Sequence, residues 1–420
     1  MAGSQASTPA PRRLRVLLSA YACEPGVGSE GGIGWNWTRE VARRNDCVLV
    51  TRKNNVEAIR AAAQREDLER LEVVGHDLPM WMRFWKRGGR GAMAYFYLWQ
   101  LSLARVARRL DRERDFDLVQ HVTFASSWIP SGLAFVNKPF VWGPVGQHPR
   151  IPKPFLVDAP LAARLAESAK AAVKRLCLTV DPFLRHTMRR ARRVLSLGSE
   201  FEDSSTLPKS ARVERLHACG VDALAPGVKS GGHVLFSGRL VRLKGPELAL
   251  EAFATAHAKH TGARLTFLGE GPLETQLRQR AEALGITGAV TFAGKLPLHD
   301  ALAQMGAADI FLFPSFEGAG MVVPEAMATG AVVLCLDFGG PGDMVAEGRG
   351  LAVPVGATKA QACANLAAGL DELLGDPMRC AQLRSGAEDW IRSDMLWSQK
   401  GARLQGIYEA VMAETCGEAA

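Results

Sequence analysis

The stretch FPSFEGAGMVVPEAMATG (residues 313–330) runs off the end of an apolar strand, through a turn and into a helix. Its glycines, Gly318 and Gly320, let the backbone come close to a ligand. The amides of Gly320, Met321 and Val322 stand at the helix start, where unpaired N–H groups favour a phosphate. Glu317 and Glu325 bring two carboxylates to the same turn. A carboxylate accepts hydrogen bonds from vicinal hydroxyls, which suits a sugar or a ribose. Two glutamates at that spacing also fit ordinary helix solvation, so the pair gains meaning only from its surroundings.

Upstream, SGRLVRLKGPELALEAF (237–253) repeats the strand, loop, helix order. Arg239 and Lys244 sit in its loop beside Gly238, and two cations at the carboxyl end of a strand can clamp a diphosphate. Around these two elements HVLFSG (233–238), ARLTFLG (263–269), AVTFAG (289–294), DIFLFP (309–314), AVVLCL (331–336) and GLAVP (350–354) read as strands with helices between them. In the first half LRVLLSA (14–20), CVLVTR (47–52), LEVVGH (71–76), FDLVQHV (116–122) and FVWGPV (140–145) do the same. The segment 155–193 is basic and helix-favouring. This alternation predicts an α/β chain of two Rossmann-like domains facing across a cleft, with ligands at the carboxyl ends of the strands. The expected boundaries are a disordered leader 1–13, a first domain 14–205, a linker 206–232, a second domain 233–394, and a helix and tail 395–420 that packs back on the first domain.

Composition agrees with this division. The 420 residues exceed one ordinary core. No run reaches the ~18 apolar residues of a membrane span. MAGSQASTPAPRR lacks the apolar segment of a signal peptide. Eight scattered cysteines with no C-x-x-C pair argue against a zinc site or a disulfide framework, and for a reducing cytoplasm. The net charge of +8 is uneven: residues 1–205 hold 32 Lys and Arg against 20 Asp and Glu. The excess gathers at Arg83–Arg90, Arg105–Arg114 and Lys170–Arg193. Such a half attracts anions, an anionic membrane surface or a phosphorylated lipid among them, unless the charges are simply solvated helix faces. Nothing resembles a base-reading module, so nucleic acid is not expected. MWMRFWKRGGRGAMAYFYLWQLSLARVARR (80–109) reads either as a helix lying on a membrane or as core with a basic outer face.

Taken together, SGRLVRLKG, LGEGP (268–272), VTFAGKL (290–296), FPSFEGAGMVVPEAMATG and FGGPGDMV (338–345) resemble the family 4 glycosyltransferases, which have the two-domain GT-B fold. The likeness runs along nearly the whole chain. ACEPGVGSEGGIGWNW (22–37) and FVWGPVGQ (140–147) look like a subgroup from bacterial surface-polysaccharide and secondary-metabolite pathways. The resemblance implies an acceptor-binding first domain and a donor-binding second one. Arg239 and Lys244 would hold the donor diphosphate, Glu325 the ribose and Glu317 the transferring sugar. The backbone at Lys295 and Leu296 would read the base, His121 would face the reacting sugar, and Gly28 would admit the acceptor or the donor phosphates. The family retains anomeric configuration and needs no metal or other cofactor; the nucleotide-diphosphate sugar is a co-substrate. Uridine, guanosine and adenosine donors all suit the motifs. The hydroxyl acceptor is a glycan, a lipid-linked saccharide or a small metabolite, and a lipid-linked one would place the enzyme peripherally on the inner face of the plasma membrane. The oligomeric state stays open. Gln147 and His148 depart from the family's Gly-Gly-Glu after GPVG, and Asp343 replaces the usual Glu of its turn.

Two signals carry less. Asp115-Phe116-Asp117 spells an Asp-x-Asp metal motif but leads into a strand, where charge solvates. Gly26 to Gly31 spells G-x-G-x-x-G and would suit an NAD(P)-dependent oxidoreductase, yet its first glycine falls six residues after the strand rather than at the turn. A non-catalytic nucleotide- or carbohydrate-binding protein of the same fold is the remaining alternative.

Overall fold

The computed structural model describes residues 13–28, 30–82, 91–146, 150–157, 160–198, 207–209 and 211–418. The apolar runs become parallel strands. β1 (Arg15–Ala20), β2 (Asp46–Thr51), β3 (Leu71–Gly75), β4 (Leu118–Thr123), β5 (Phe140–Val145), β6 (Ala191–Ser196) and β7 (Arg212–Arg215) form one sheet in the order β3-β2-β1-β4-β5-β6-β7. β8 (His233–Ser237), β9 (Arg264–Leu268), β10 (Val290–Gly294), β11 (Ile310–Phe313), β12 (Val332–Leu336) and β13 (Leu351–Val353) form the second, ordered β10-β9-β8-β11-β12-β13. Helices cover both faces of each sheet, so the central strands are largely buried; β4 and β5 expose none of their residues. Alternate residues serve opposite faces: Val16 and Leu18 join one core, Leu17 the other.

The first sheet reaches further along the chain than residue 205. The segment read as helical up to 193 makes two helices, Leu161–Val180 and Pro182–Arg190, then turns to strand at Ala191. Arg193 looked like surface charge. It is buried in β6, where Glu414 and Glu214 hold its guanidinium at 2.7 and 3.2 Å. β7, with the sequence RVER, lies within the stretch read as linker; charge at its ends suits an edge strand.

The closing helix Trp397–Glu418 returns to the first domain. Trp397, Leu404, Ile407, Tyr408 and Val411 enter the core that contains β1 and β2. Trp397 meets Trp37 edge-on at 5.4 Å, and the Tyr408 hydroxyl donates to Gln120. Two crossings between the domains run side by side, Val221 N donating to Met395 O and Trp397 N to Val221 O, each at 2.9 Å.

From Ala92 to Arg109 the 80–109 stretch is core with a basic outer face, while Met80 and Trp81 are exposed. The helix Ala92–Arg114 buries Tyr95, Phe96, Trp99, Leu103 and Ala107 against the first sheet, because these positions recur on one side of the helix. Arg83–Arg90 lie outside the described residues, as do nearly all of the leader, Ser29, Gln147 and His148. No helix of the described residues is long and apolar enough to cross a membrane.

Candidate active site

Each sheet reverses its direction of strand addition once, at β1 between β2 and β4 and at β8 between β9 and β11. Loops leaving such neighbours diverge and open a crevice at the carboxyl ends. In the second sheet the crevice lies between the loop after β8, with Gly238, Arg239 and Lys244, and the loop after β11, Pro314 to Met321. The loops are stitched together: Phe316 N donates to Leu243 O at 2.9 Å, and Ser315 Oγ to the same carbonyl at 3.3 Å. Only glycine fits where they cross. Gly245 has φ +67°, and a Cβ there would sit 2.2 Å from Pro314 O.

This stitching brings the two sequence elements into contact. Lys244 Nζ meets Glu317 Oε2 at 2.5 Å, with the two side chains 16% and 23% exposed. The same ammonium stands 5.0 Å from the centre of the Phe313 ring. Glu325 projects from the helix Val322–Ala328, and burial pushes its carboxyl up to about 7, opposed by the charge of Lys244. One lysine therefore faces two carboxylates. Gly320 takes φ +60°, where a Cβ would crowd Pro341 at 2.8 Å, so the FGGPGDMV segment forms the back wall of the turn. Arg239 is exposed, and among the described residues no carboxylate pairs with it. Gly238 N donates to Leu268 O and Gly269 N to Gly294 O, at 2.9 and 2.7 Å, which ties the ends of β8, β9 and β10 together. Just beyond β10, Lys295 is exposed and Leu296 half-buried.

In the first sheet the crevice lies between the loop after β1 and the turn after β4. Gly28 is exposed in the first, with open space around it. His121 lies within β4 rather than after it, 1% exposed, with Nε2 3.3 Å from Phe124 O and no partner for Nδ1. Burial pushes it down to about 4, so the ring is neutral. Glu30 is a further acid at this crevice, beyond the residues that the motifs single out. It opens the helix Glu30–Arg44, accepts the Ala125 N–H, and keeps Oε2 buried without a partner; burial pushes it up to about 7. The buried hydroxyls of Ser126 and Ser127 also lack partners. Buried polar atoms are nearly always paired, and these orphans gather at the strand-order reversal of the first sheet. The available signal was an acid two residues past Gly28 at a helix start, hidden by setting G-x-G-x-x-G aside. Of that motif Gly26 and Gly28 stand in open space and Gly31 lies beside Glu24; the close packing of the helix comes further on, at Gly34, where a Cβ would lie 1.9 Å from Ala22 O.

The domains meet at the β11 loop. Phe155 enters the core of the second sheet with its ring 4.8 Å from Phe316, while Ala319 and Met321 pack against the first domain's core. Asp115 and Asp117 are structural: Asp115 pairs with Lys138 at 2.6 Å, and Asp117 accepts the Arg15 amide at 2.7 Å. Among the described residues no group of three His, Cys, Asp or Glu could hold a metal ion.

Residues 229–390 match the family model described as Glycosyl transferases group 1. A GDP-mannose-dependent monoacylated alpha-(1-6)-phosphatidylinositol monomannoside mannosyltransferase of Corynebacterium glutamicum is 31% identical over 180 residues, 41% of this chain and 45% of that protein. A glycogen synthase of Mycobacterium tuberculosis is 30% identical over 179 residues, 42% of each chain. The chain spans about half the length of the curated relatives it matches. Among solved structures, sucrose-phosphate synthase from Thermosynechococcus elongatus superposes with a TM-score of 0.65 at 17% identity, covering 96% of this chain and 100% of that one. Anabaena Alr3699/HepE in complex with UDP-glucose gives 0.60 at 15% identity, covering 97% and 100%. These similarities establish the two-domain GT-B fold.

Proposed function

We propose, from the premise that residues 229–390 belong to the group 1 glycosyl transferases, that this chain moves a sugar from a nucleotide-diphosphate sugar to a hydroxyl acceptor, with retention and without a metal. The observation that carries the reading is the contact of Lys244 with Glu317 beside Glu325 at the β8/β11 crevice. An arriving diphosphate competes with Glu317 for Lys244 and recruits Arg239, which among the described residues has no carboxylate to leave. Glu317, released, accepts hydrogen bonds from the sugar, and Glu325 accepts them from the ribose. The amides of Gly320, Met321 and Val322 add donors for phosphate oxygens, and the backbone at Lys295 and Leu296 borders the base. Neutral His121 offers Nδ1 to a sugar hydroxyl.

In the reaction the anomeric C–O bond to the diphosphate breaks and the acceptor oxygen bonds to the same carbon on the same face. The acceptor proton passes to the departing diphosphate. No carboxylate acts as nucleophile, so the catalytic load falls on stabilising the leaving group and on positioning. The named substrate of the Corynebacterium glutamicum relative supports a lipid-linked saccharide ahead of a free glycan or a small metabolite. A panel of UDP-, GDP- and ADP-sugars, scored for released nucleoside diphosphate with and without acceptor and chelator, tests the reading. Release that survives chelator and a product of unchanged anomeric configuration are expected. Undiminished release by both Glu325→Ala and Lys244→Ala would overturn the donor site.

A further inference from the structure

The helix Leu161–Val180 is exposed over nearly its whole length, and its outward side is the apolar one. Leu161, Leu165, Val173, Leu176 and Val180 are each between 50% and 68% exposed. At 3.6 residues per turn they share an arc of about 120° with Ala169 and Ala172. The residues turned to the protein, buried Ala171 and half-buried Leu178, lie on the opposite side of the helix. Arg175 and Arg164 border the apolar arc along one edge, and Lys170 lies beyond the other. The sole acid of the helix, Glu167, is tied to Lys170 at 2.6 Å.

Both ends of this helix are mounted. Upstream, Phe155 is set in the second domain's core. Downstream, Asp181 accepts the Tyr97 hydroxyl at 3.0 Å and caps the next helix through Phe183 N at 2.8 Å. A fixed helix with an apolar outer face is costly in water unless something covers it.

We propose that this helix is a docking surface for an anionic phospholipid bilayer, lying flat with its apolar arc among the acyl chains and its cations at the headgroups. Charge decides the occupant. A second copy seated face to face would bring the two cationic flanks together, whereas an anionic leaflet satisfies the apolar arc and both flanks at once. The proposal stands apart from the transferase reading.

The test is co-sedimentation of the full chain with phosphatidylcholine vesicles, with and without phosphatidylglycerol. Binding to the phosphatidylglycerol vesicles alone, weakened by salt, is expected. The double variant L165E/L176E should bind at least tenfold more weakly, and Arg175→Glu at least about fivefold. Both keep their circular dichroism and their nucleoside diphosphate release, because these side chains face outward. Equal binding to both vesicle types, or none, overturns the proposal. So does a dimer in light scattering that L165E/L176E dissolves. Absence of nucleoside diphosphate release from any nucleotide sugar would remove the transferase reading and leave the vesicle result intact.

Discussion

Glu325→Gln should make the ligand-free protein more stable and the enzyme worse. The carboxyl is pushed from 4.5 to about 7 on folding. Between those values the unfolded chain has released its proton while the folded chain still holds it. The folded state therefore binds more protons, and stability falls as pH rises through that window. Full burial would put the loss at ~3 kcal/mol above pH 7. Glu325 is half-buried and faces Lys244, so about 1–2 kcal/mol is the working figure. Glutamine keeps the shape and cannot ionise. Its variant should melt roughly 3–6 °C above the parent near pH 8 and within about 2 °C of it near pH 5. Scanning calorimetry at the two pH values measures this, repeated with a nucleotide sugar that stabilises the parent. The ligand-induced rise should shrink or vanish in the variant. A melting gap independent of pH would mean that folding leaves Glu325 ionised at no cost. An unaltered ligand response would remove it from the donor site.

Lys244→Ala strips the charge opposite both carboxylates; nucleoside diphosphate release should fall at least about 100-fold while the melting temperature moves by only a few degrees. Full release with the fold intact would show that Arg239 alone suffices. Gly245→Ala should cost ~2 kcal/mol or more, seen as a lower melting temperature, because the left-handed backbone and Pro314 O both oppose a methyl group; an unshifted melt would refute the close crossing of the two loops. The His121 ring should show no titration by NMR between pH 5 and 8, and an inflection near 6.5 would place it in water.

The fold was legible because its signals are local. Central strands such as VLVT in β2 and IFLF in β11 are apolar runs, as parallel strands buried on both faces must be, and β4 with buried Gln120 and His121 is the exception. Lys244 and Glu317 were legible for the same reason, each just past a strand end, and the β8/β11 pairing does the rest. What was hidden depends on distant partners. Arg193 reads as surface charge until Glu414, 221 residues later, is known to meet it. Glu30 gains its meaning from the Ala125 amide and from a buried oxygen with no partner, neither of which leaves a trace in the local sequence. The stretch 80–109 stays open in the sequence because aromatic and basic residues alternate equally well in a core helix and in a membrane-lying one; the cover above Tyr95 and Trp99 puts the part from Ala92 onward in a core.

The return of the last helix to the first domain has a consequence for how the chain is made. During synthesis β1 and β2 emerge early, yet one side of their core stays open until Trp397, Leu404, Ile407, Tyr408 and Val411 have left the ribosome. Nearly the entire second domain is translated in between and can close its own core first. The order of completion is thus the reverse of the order of synthesis: the half that begins the chain is sealed by its end. A nascent chain exposed only as far as Leu396 would carry a finished second domain and an unsealed first one, with the Trp37 region still in reach of a chaperone.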